Sequence, residues 1–222
     1  GLDLDGVWTP QGRRDLRDAF GVPPGAPVLG YAGRLNRGKG VLLVLRAFLR
    51  LAARHADWHL VIVGEAVGAG EEVYARALRE EAGRSAARDR VHFAGYRTDM
   101  PDVYATFDAT AAASAFESLG LVAVEAMAME RPVAVPDEGG FREIVESGVT
   151  GGRFRPGDAA DLAATLEPWF ADARLRRRLG RAARRAVRDR FDVQRSLARY
   201  ETLYAELVAR KPNRERRRTW TS

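Results

Sequence analysis

The sequence predicts an α/β fold in which a doubly wound parallel sheet is followed by a C-terminal helical tail. From Val28 to Gly157, short apolar runs alternate with stretches of helical periodicity, the pattern of a parallel sheet with helices on both faces. After Gly157 the alternation stops, and Asp158 is placed to cap the first helix of a segment that continues to about Arg210. A chain of 222 residues with 46% hydrophobic residues can bury a substantial core.

Strands and helices are predicted to alternate along the sheet region. The predicted strands, each a short apolar run, are Val28–Ala32, Trp58–Gly64, Arg90–Gly95, Ala109–Ala113, Pro132–Pro136 and Gly152–Arg155. The predicted helices, each in one crossover, are Gly40–His55, Glu71–Gly83, Met100–Phe107, Leu119–Met129 and Phe141–Ser147. In such a sheet a ligand binds beyond the carboxyl ends of the strands, so the residues that follow each strand are the candidates for a site.

These elements divide the chain into parts. The parts are a lead-in at 1–26, the sheet domain at 27–157, helices packed on it at 158–210, and a basic, disordered tail at 211–222. The lead-in is predicted to hold one short helical stretch, Gln11–Phe20. Pro168 is predicted to break or kink the C-terminal helices because it has no amide to donate.

The net charge of +6 comes from arginines gathered between residues 174 and 190 and between 214 and 218. Leu175, Leu179 and Ala183 recur at helical spacing within the first group, which indicates a packed amphipathic helix with its arginines on the outer face. An anionic membrane surface remains an alternative partner for this face. No platform of interleaved aromatic residues accompanies it, so we expect no nucleic acid partner.

The chain contains no cysteine, which excludes disulfides and thiolate metal sites and is compatible with the reducing cytoplasm. No apolar run reaches the 18 residues typical of a membrane span, and no signal peptide is visible. We therefore expect a cytoplasmic protein, with peripheral membrane contact left open. His55, His59 and His92 have no convincing ligand spacing, so no metal site is predicted.

A glycine-rich turn follows the first predicted strand. It runs from Gly33 to Gly40 and carries Arg34 and Lys39 immediately before a long amphipathic helix. A helix N-terminus favours negative charge, and an arginine fork with a lysine ammonium suits phosphate oxygens. The turn matches neither the Walker pattern nor the G-x-G-x-x-G pattern. A solvated basic turn is the alternative interpretation.

Two glutamates, Glu117 and Glu125, flank a segment of seven residues that contains Gly120. A glycine allows close approach of a ligand to the backbone, and the free amides at the start of the following helix favour an anion. Two carboxylates on either side of such amides can bind the hydroxyl-rich ends of one phosphate-containing ligand, a layout that a nucleotide sugar has. One alternative is that the two glutamates have this spacing by chance. Another is an acid–base pair for glycoside hydrolysis, which fits poorly with a parallel sheet.

Taken together, these motifs resemble the C-terminal, donor-binding domain of retaining GT-B glycosyltransferases of the group 1 type. The matching segments, in chain order, are Gly33-Arg34-Leu35, Lys39-Gly40, Val91–Gly95, Phe116–Leu121 with Glu125–Ala128 as an E-x7-E signature, Arg131-Pro132-Val133, Gly139-Gly140 with Glu143, and Gly148–Gly151. The fold implied is one Rossmann-like half of GT-B, which binds a nucleotide sugar. The sequence departs from the family at Glu130, at Ala113-Ser114 and at the irregular turn 65–68. It also holds only one of the two GT-B domains, so we expect the N-terminal acceptor domain to be missing.

The resemblance implies specific roles. Arg34 and Lys39 would bind the diphosphate and stabilise it as it leaves, Glu117 would accept hydrogen bonds from the sugar, and Glu125 from the ribose. The remaining implied contacts are Gly33 beside the phosphates, Gly95, Tyr96 and Arg97 beside the base, and the backbone of Ser118, Leu119, Gly120 and Leu121 at a phosphate. No metal cofactor is expected, and the isolated chain is expected to bind donor with little or no transfer.

Two other functions remain open at this point. A non-catalytic module that binds nucleotide diphosphates would need the same phosphate contacts, and a nucleotide-sugar epimerase on the same two-domain fold would share the overall pattern. The pair Glu117 and Glu125 favours transfer over epimerisation. The base, the sugar and the acceptor are not specified by these motifs.

Overall fold

The computed structural model describes residues 1–209, and the predicted tail at 211–222 lies outside them. Within that range the strands are β1 (Val28–Ala32), β2 (His59–Val63), β3 (Val91–Gly95), β4 (Ala109–Ala111), β5 (Val133–Pro136) and β6 (Gly151–Phe154). All pair in parallel, in the order β3-β2-β1-β4-β5-β6. The predicted doubly wound α/β sheet is confirmed.

The helices follow the predicted alternation. They are α1 (Val41–Ala52), α2 (Ala69–Gly83), α3 (Met100–Thr106), α4 (Leu121–Ala128), α5 (Phe141–Ile144), α6 (Ala159–Ala171), α7 (Ala173–Phe191) and α8 (Val193–Ala209). Short 3₁₀ turns occur at Asp18–Phe20, Arg37–Lys39 and Arg88–Arg90. None of the helices within residues 1–209 is long and apolar enough to cross a bilayer.

The core lies in two layers, one on each face of the sheet. On one face, α1, α2 and α6 bury Phe48, Trp58 and Phe170, with the Trp58 and Phe170 rings stacked at 3.8 Å between centroids. On the other face, α3, α4, α5 and α7 bury Tyr104 and Met127 among other side chains. Each fully buried large apolar side chain contributes about 1.5–3 kcal/mol, so the helices hold the strand ends in fixed positions.

The predicted helix at Gln11–Phe20 is wrong, since only Asp18–Phe20 form a helical turn. Tertiary contacts outweigh the local helical pattern. The Leu16 amide donates to Thr106 Oγ1 at 2.9 Å, and Arg17 Nη2 pairs with Asp108 Oδ2 at 2.9 Å. The lead-in is therefore tied to α3 and to the start of β4.

Pro168 was predicted to break or kink the helix, and the break is wrong, because α6 continues through Pro168 to Ala171. The helices separate at Asp172, whose Oδ1 accepts hydrogen bonds from Arg174 N at 2.7 Å and Leu175 N at 3.1 Å and so caps α7. The predicted cap at Asp158 is confirmed. Its Oδ1 accepts hydrogen bonds from Ala160 N at 2.9 Å and Asp161 N at 3.0 Å.

Helix α7 buries Leu179, Ala183 and Val187 and presents most of its arginines outward, as predicted. Arg176 and Arg184 are exceptions. Arg176 donates to the Trp169 carbonyl, and Arg184 donates to the carbonyls of Leu4, Trp8 and Ala128. Burial lowers the pKa of both guanidinium groups. These two arginines join segments of the chain rather than meeting solvent.

Candidate functional site

The predicted site residues gather where the strand order reverses. Strands β1 and β4 are neighbours in the sheet, and the crossovers after them leave in opposite directions. The loops after β1, β2, β3 and β4 all leave from the same carboxyl edge. This edge is where doubly wound sheets bind ligands.

The loop after β1 is held by side chains as well as by backbone. Asn36 Oδ1 accepts the Lys39 amide at 3.0 Å and so caps the turn Arg37–Lys39. The buried Tyr31 hydroxyl donates to the Arg34 carbonyl at 3.1 Å, and burial raises the pKa of this phenol. Gly33 has φ of 155°, which favours glycine, and its amide donates to the Val63 carbonyl at 2.9 Å. The two basic side chains therefore project from a fixed loop.

Arg34 meets an acidic partner from another loop. Its Nη2 donates to Glu71 Oε1 at 2.6 Å, and its side chain remains 55% exposed. Glu71 Oε1 also accepts from Asn36 Nδ2 at 3.1 Å, and Glu71 Oε2 accepts the Val67 amide at 2.8 Å. The Val67 amide, followed by the weaker effects of Asn36 and Arg34, lowers the pKa of Glu71.

Lys39 and Glu117 are in direct contact. Lys39 Nζ donates to Glu117 Oε1, and the same oxygen accepts the Ser114 hydroxyl at 3.0 Å. The Ala115 amide also donates to the Gly38 carbonyl at 2.9 Å, so the loops after β1 and β4 are joined. The structure thus brings together a cation and a carboxylate that lie 78 residues apart in the chain.

Gly120 directs the chain from the Glu117 loop into α4. Its φ is +72°, and a Cβ added there would lie 2.5 Å from the Phe141 ring. The Gly140 amide holds the loop from the other side by donating to the Glu117 carbonyl at 3.0 Å. In the part of the chain that the structure describes, the amides of Leu119, Gly120 and Leu121 donate no hydrogen bond, so they are free to bind an anion.

Glu125 lies one turn inside α4 and is largely buried. The Tyr104 hydroxyl donates to Glu125 Oε2 at 3.0 Å. Burial raises the pKa of Glu125, and the Tyr104 hydrogen bond opposes this shift. Burial, together with the neighbouring Glu125, also raises the pKa of Tyr104. A partly desolvated carboxylate on a rigid helix is well suited to accept hydrogen bonds from hydroxyl groups.

Two adjoining cavities connect these groups. The larger, of about 460 Å³, is lined by apolar side chains together with Gly33, Arg34, Tyr96, Arg97 and Glu125. The smaller, of about 30 Å³, is lined by Gly33, Lys39, Ser114 and Glu117 among others. Both share Ala32, Gly33 and Val122 as a common wall. Gly95 and residues 118–121 belong to neither lining.

Tyr96 and Arg97 lie at the mouth of the larger cavity in different states. Tyr96 is 66% exposed and available for stacking. Arg97 forms a bidentate pair with Asp99 at 2.8 and 2.5 Å, and its guanidinium lies 5.8 Å from the Phe20 ring centroid. The Arg97 side chain is therefore occupied by a neighbour of its own loop. The hydrogen bond to Asp99 also raises the pKa of Arg97.

Three residues that organise the site, Glu71, Tyr104 and Asn36, were not among the predicted site residues. Each acts through a contact with another segment or with its own turn, and only Asn36 carried a visible signal, as an N-cap residue three positions before Lys39. Among residues 1–209, no cluster of His, Asp and Glu suited to a metal ion is found. His55 Nε2 pairs with Glu167 at 2.8 Å, and His59 with His92 at 2.9 Å between ring nitrogens.

The fold and the position of this site define a GT-B C-terminal domain, and solved structures agree. A TM-score of 0.81 relates the chain to Anabaena Alr3699/HepE in complex with UDP and glucose, at 29% identity over 95% of this chain and 55% of that one. The C-terminal domain of a glycosyl transferase group 1 family protein (LpcC) from Francisella tularensis gives a TM-score of 0.76 at 23% identity, over 87% of this chain and 100% of that one, a likeness of fold. The chain belongs to the family described as glycosyl transferases group 1, whose sequence model matches residues 12–186.

The chain is also similar to curated glycosyltransferases. The lipopolysaccharide core biosynthesis mannosyltransferase LpcC of Rhizobium leguminosarum bv. viciae is 30% identical, over 94% of this chain and 58% of the relative. A D-inositol 3-phosphate glycosyltransferase of Xylanimonas cellulosilytica is 34% identical, over 96% of this chain and 52% of the relative. The chain therefore spans about half the length of the curated relatives it matches.

Proposed function

We propose that this chain is the donor-binding half of a retaining glycosyltransferase that uses a nucleotide-diphosphate sugar. The observation that carries the proposal is the junction of the two cavities at Gly33, with Arg34 on one side and the Lys39–Glu117 pair on the other. A diphosphate placed at that junction would have a nucleoside in the larger cavity and a sugar beside Glu117. The structural relative from Anabaena, which was solved with UDP and glucose, supports a donor of this class.

Each group has a part in the proposed complex. Glu125, aligned by Tyr104, accepts hydrogen bonds from the ribose hydroxyls, and Tyr96 packs beside the base. Arg34 and Lys39 bind the diphosphate, together with the free amides at the start of α4. Glu117 exchanges part of its contact with Lys39 for hydroxyl groups of the sugar.

The proposed reaction is a front-side displacement. The acceptor hydroxyl attacks the anomeric carbon while the bond from that carbon to the β-phosphate oxygen breaks, and the leaving phosphate oxygen takes the acceptor proton. Negative charge develops on the departing diphosphate, where Arg34 and Lys39 stabilise it. No side chain needs to act as nucleophile, and configuration at the anomeric carbon is retained.

The donor half alone is expected to bind rather than to turn over. Positioning two substrates together can lower the activation barrier by roughly 7–11 kcal/mol. The residues that would hold an acceptor are proposed to belong to a second, N-terminal domain. The chain covers 58% and 52% of the two curated relatives, which leaves room for such a domain in them. Transfer to simple acceptors at an ordinary enzymatic rate by this chain alone would contradict this part of the proposal.

Calorimetric titration with UDP, GDP, ADP and their glucose conjugates tests the donor site. We expect saturable binding of one nucleotide, weakened by about 1.5–3 kcal/mol in Lys39→Ala and in Glu125→Ala. Arg37→Ala is the matched control for Lys39. Arg37 lies in the same turn, stacks on Tyr74 at 5.4 Å and lines neither cavity of the site. Absence of binding to the unaltered chain at millimolar concentration would refute the donor site.

We also propose a cytoplasmic location, supported by the absence of cysteine.

Peripheral contact with anionic lipid is a further proposal, supported by an outward row of arginines on α7. Within residues 1–209 no ion pair is found for the arginines of this row, which are Arg174, Arg177, Arg178, Arg181 and Arg185. Sedimentation with phosphatidylserine vesicles tests it, and Arg178→Glu/Arg181→Glu should abolish the association.

A further inference from the structure

Glu71 accepts hydrogen bonds from three donors on two loops of the site. Arg34 and Asn36 belong to the loop after β1, whereas Val67 belongs to the loop after β2. The three distances to Glu71 oxygens are 2.6, 3.1 and 2.8 Å. The Val67 bond holds the turn that precedes α2, and the bonds from Arg34 and Asn36 join that turn to the loop after β1. The shortest of the three bonds is the one to Arg34.

The contact leaves Arg34 free to act on a ligand. A guanidinium carries five N–H donors, and the bond to Glu71 uses one nitrogen, Nη2. The remaining donors belong to a side chain that is 55% exposed and lines the larger cavity. The Val67 and Asn36 bonds fix the carboxylate itself, so it can fix the guanidinium in turn.

We propose that Glu71 is a positioning residue for diphosphate recognition and acts by holding the Arg34 guanidinium at the mouth of the cavity. The inference rests on the proposed function, since it assumes that Arg34 binds the diphosphate. An arginine that is already ordered loses less side-chain entropy when the ligand arrives. The gain outweighs the partial neutralisation of Arg34 by the carboxylate.

The opposite role is physically possible and gives the opposite result. If Glu71 instead competed with the phosphate for Arg34, its removal would release the guanidinium and tighten binding. Removing any carboxylate near the site also raises the affinity for an anion, because one repelling negative charge is lost. A test therefore needs a variant that loses the same charge without touching Arg34.

Glu72 supplies this control. It is the next residue of α2, it is exposed, and its side chain makes no hydrogen bond or ion pair within residues 1–209. Calorimetric titration compares Glu71→Ala with Glu72→Ala, using UDP and uridine as probes. We expect Glu71→Ala to bind UDP about 3- to 10-fold more weakly than Glu72→Ala, and both variants to bind uridine equally.

A second comparison separates positioning of Arg34 from a general effect on the loops. In an Arg34→Ala background, Glu71→Ala should cause no further loss of UDP affinity. Nuclear magnetic resonance of the Arg34 Nε–Hε group, assigned with Arg34→Lys, provides a readout that needs no ligand. We expect an ordered signal in the unaltered chain and in Glu72→Ala, and an averaged, mobile signal in Glu71→Ala.

The outcomes distinguish the two proposals. Failure of the unaltered chain to bind UDP, GDP or ADP would overturn the donor site. Normal donor binding with equal affinities of the Glu71 and Glu72 variants, or with tighter binding by Glu71→Ala, would overturn the role of Glu71 alone. A loss that persists in the Arg34→Ala background would also overturn it, because the effect would then not pass through Arg34.

Discussion

The Tyr104 hydroxyl donates a hydrogen bond to Glu125 across 21 residues of sequence, from the buried end of α3 to the inner face of α4. The donor is fully enclosed, and the acceptor faces the larger cavity. A carboxylate is thereby held with one oxygen bonded to the protein and its other oxygen available to a ligand. This relationship links the core of the domain directly to the site.

Tyr104→Phe should weaken nucleotide binding about 2- to 10-fold, since it removes the bond that orients Glu125. That bond lowers the pKa of Glu125, so its loss should raise this pKa further. Glu125 should then become protonated, and nucleotide binding should weaken, at a higher pH than in the unaltered chain. Calorimetry across a pH series measures both effects. Tyr74→Phe is the control, because the Tyr74 hydroxyl accepts the Leu42 amide at 3.3 Å and lines neither site cavity. Equal behaviour of the two variants would contradict the prediction.

Glu125→Gln should stabilise the fold at neutral pH while it weakens nucleotide binding. Burial raises the folded-state pKa of Glu125 above its unfolded value, so the stability it contributes is present at low pH and is lost as pH rises through the folded pKa. The Tm advantage of Glu125→Gln should therefore be largest near pH 7 and shrink toward pH 4. Thermal unfolding at both pH values checks this, and an advantage that grows toward acid would show the sign to be wrong.

Lys39→Met and Glu117→Gln should affect the donor in different ways. Loss of the lysine charge should weaken UDP and UDP-glucose alike, by about 1.5–3 kcal/mol. Glu117→Gln should bind UDP at least as well as the unaltered chain, because it frees Lys39 from its carboxylate partner. The same variant should lose the extra affinity that the sugar provides. Side-by-side titration of the two ligands measures the difference, and equal losses for both ligands in Glu117→Gln would exclude a sugar contact.

Gly120→Ala should destabilise the domain by about 3 kcal/mol, from backbone strain at positive φ and from contact with the Phe141 ring. Gly148→Ala is the matched control. Gly148 has φ of +79°, and a Cβ there meets nothing within 4 Å, so only the strain of about 1–2 kcal/mol applies. Urea unfolding compares the two midpoints. Similar midpoints would show that Phe141 moves aside without cost.

The sequence was sufficient for the architecture because periodicity is a local signal. Most predicted boundaries lie within two residues of those observed, while α1 and α5 end three residues earlier than predicted. The loops after the strands were located correctly for the same reason. The carboxyl edge of the sheet follows from the order of the elements, without any knowledge of side-chain contacts.

What escaped prediction depends on contacts between distant segments. Glu71 was visible only as the first residue of a predicted helix, although it meets Arg34 across 37 residues. Helical spacing alone could not show that Arg184 faces inward. Non-local pairing of charged side chains leaves no periodic trace in a sequence.

Arg184 has a consequence for how this protein can be shortened. Its guanidinium binds three carbonyls, two from the first eight residues and one from the end of α4. A version of the chain that starts at residue 27, where the sheet domain was predicted to begin, would leave a partly buried cation with two of its three acceptors removed. We therefore expect a version that lacks residues 1–8 to be less stable than the full chain, because α7 would lose these acceptors.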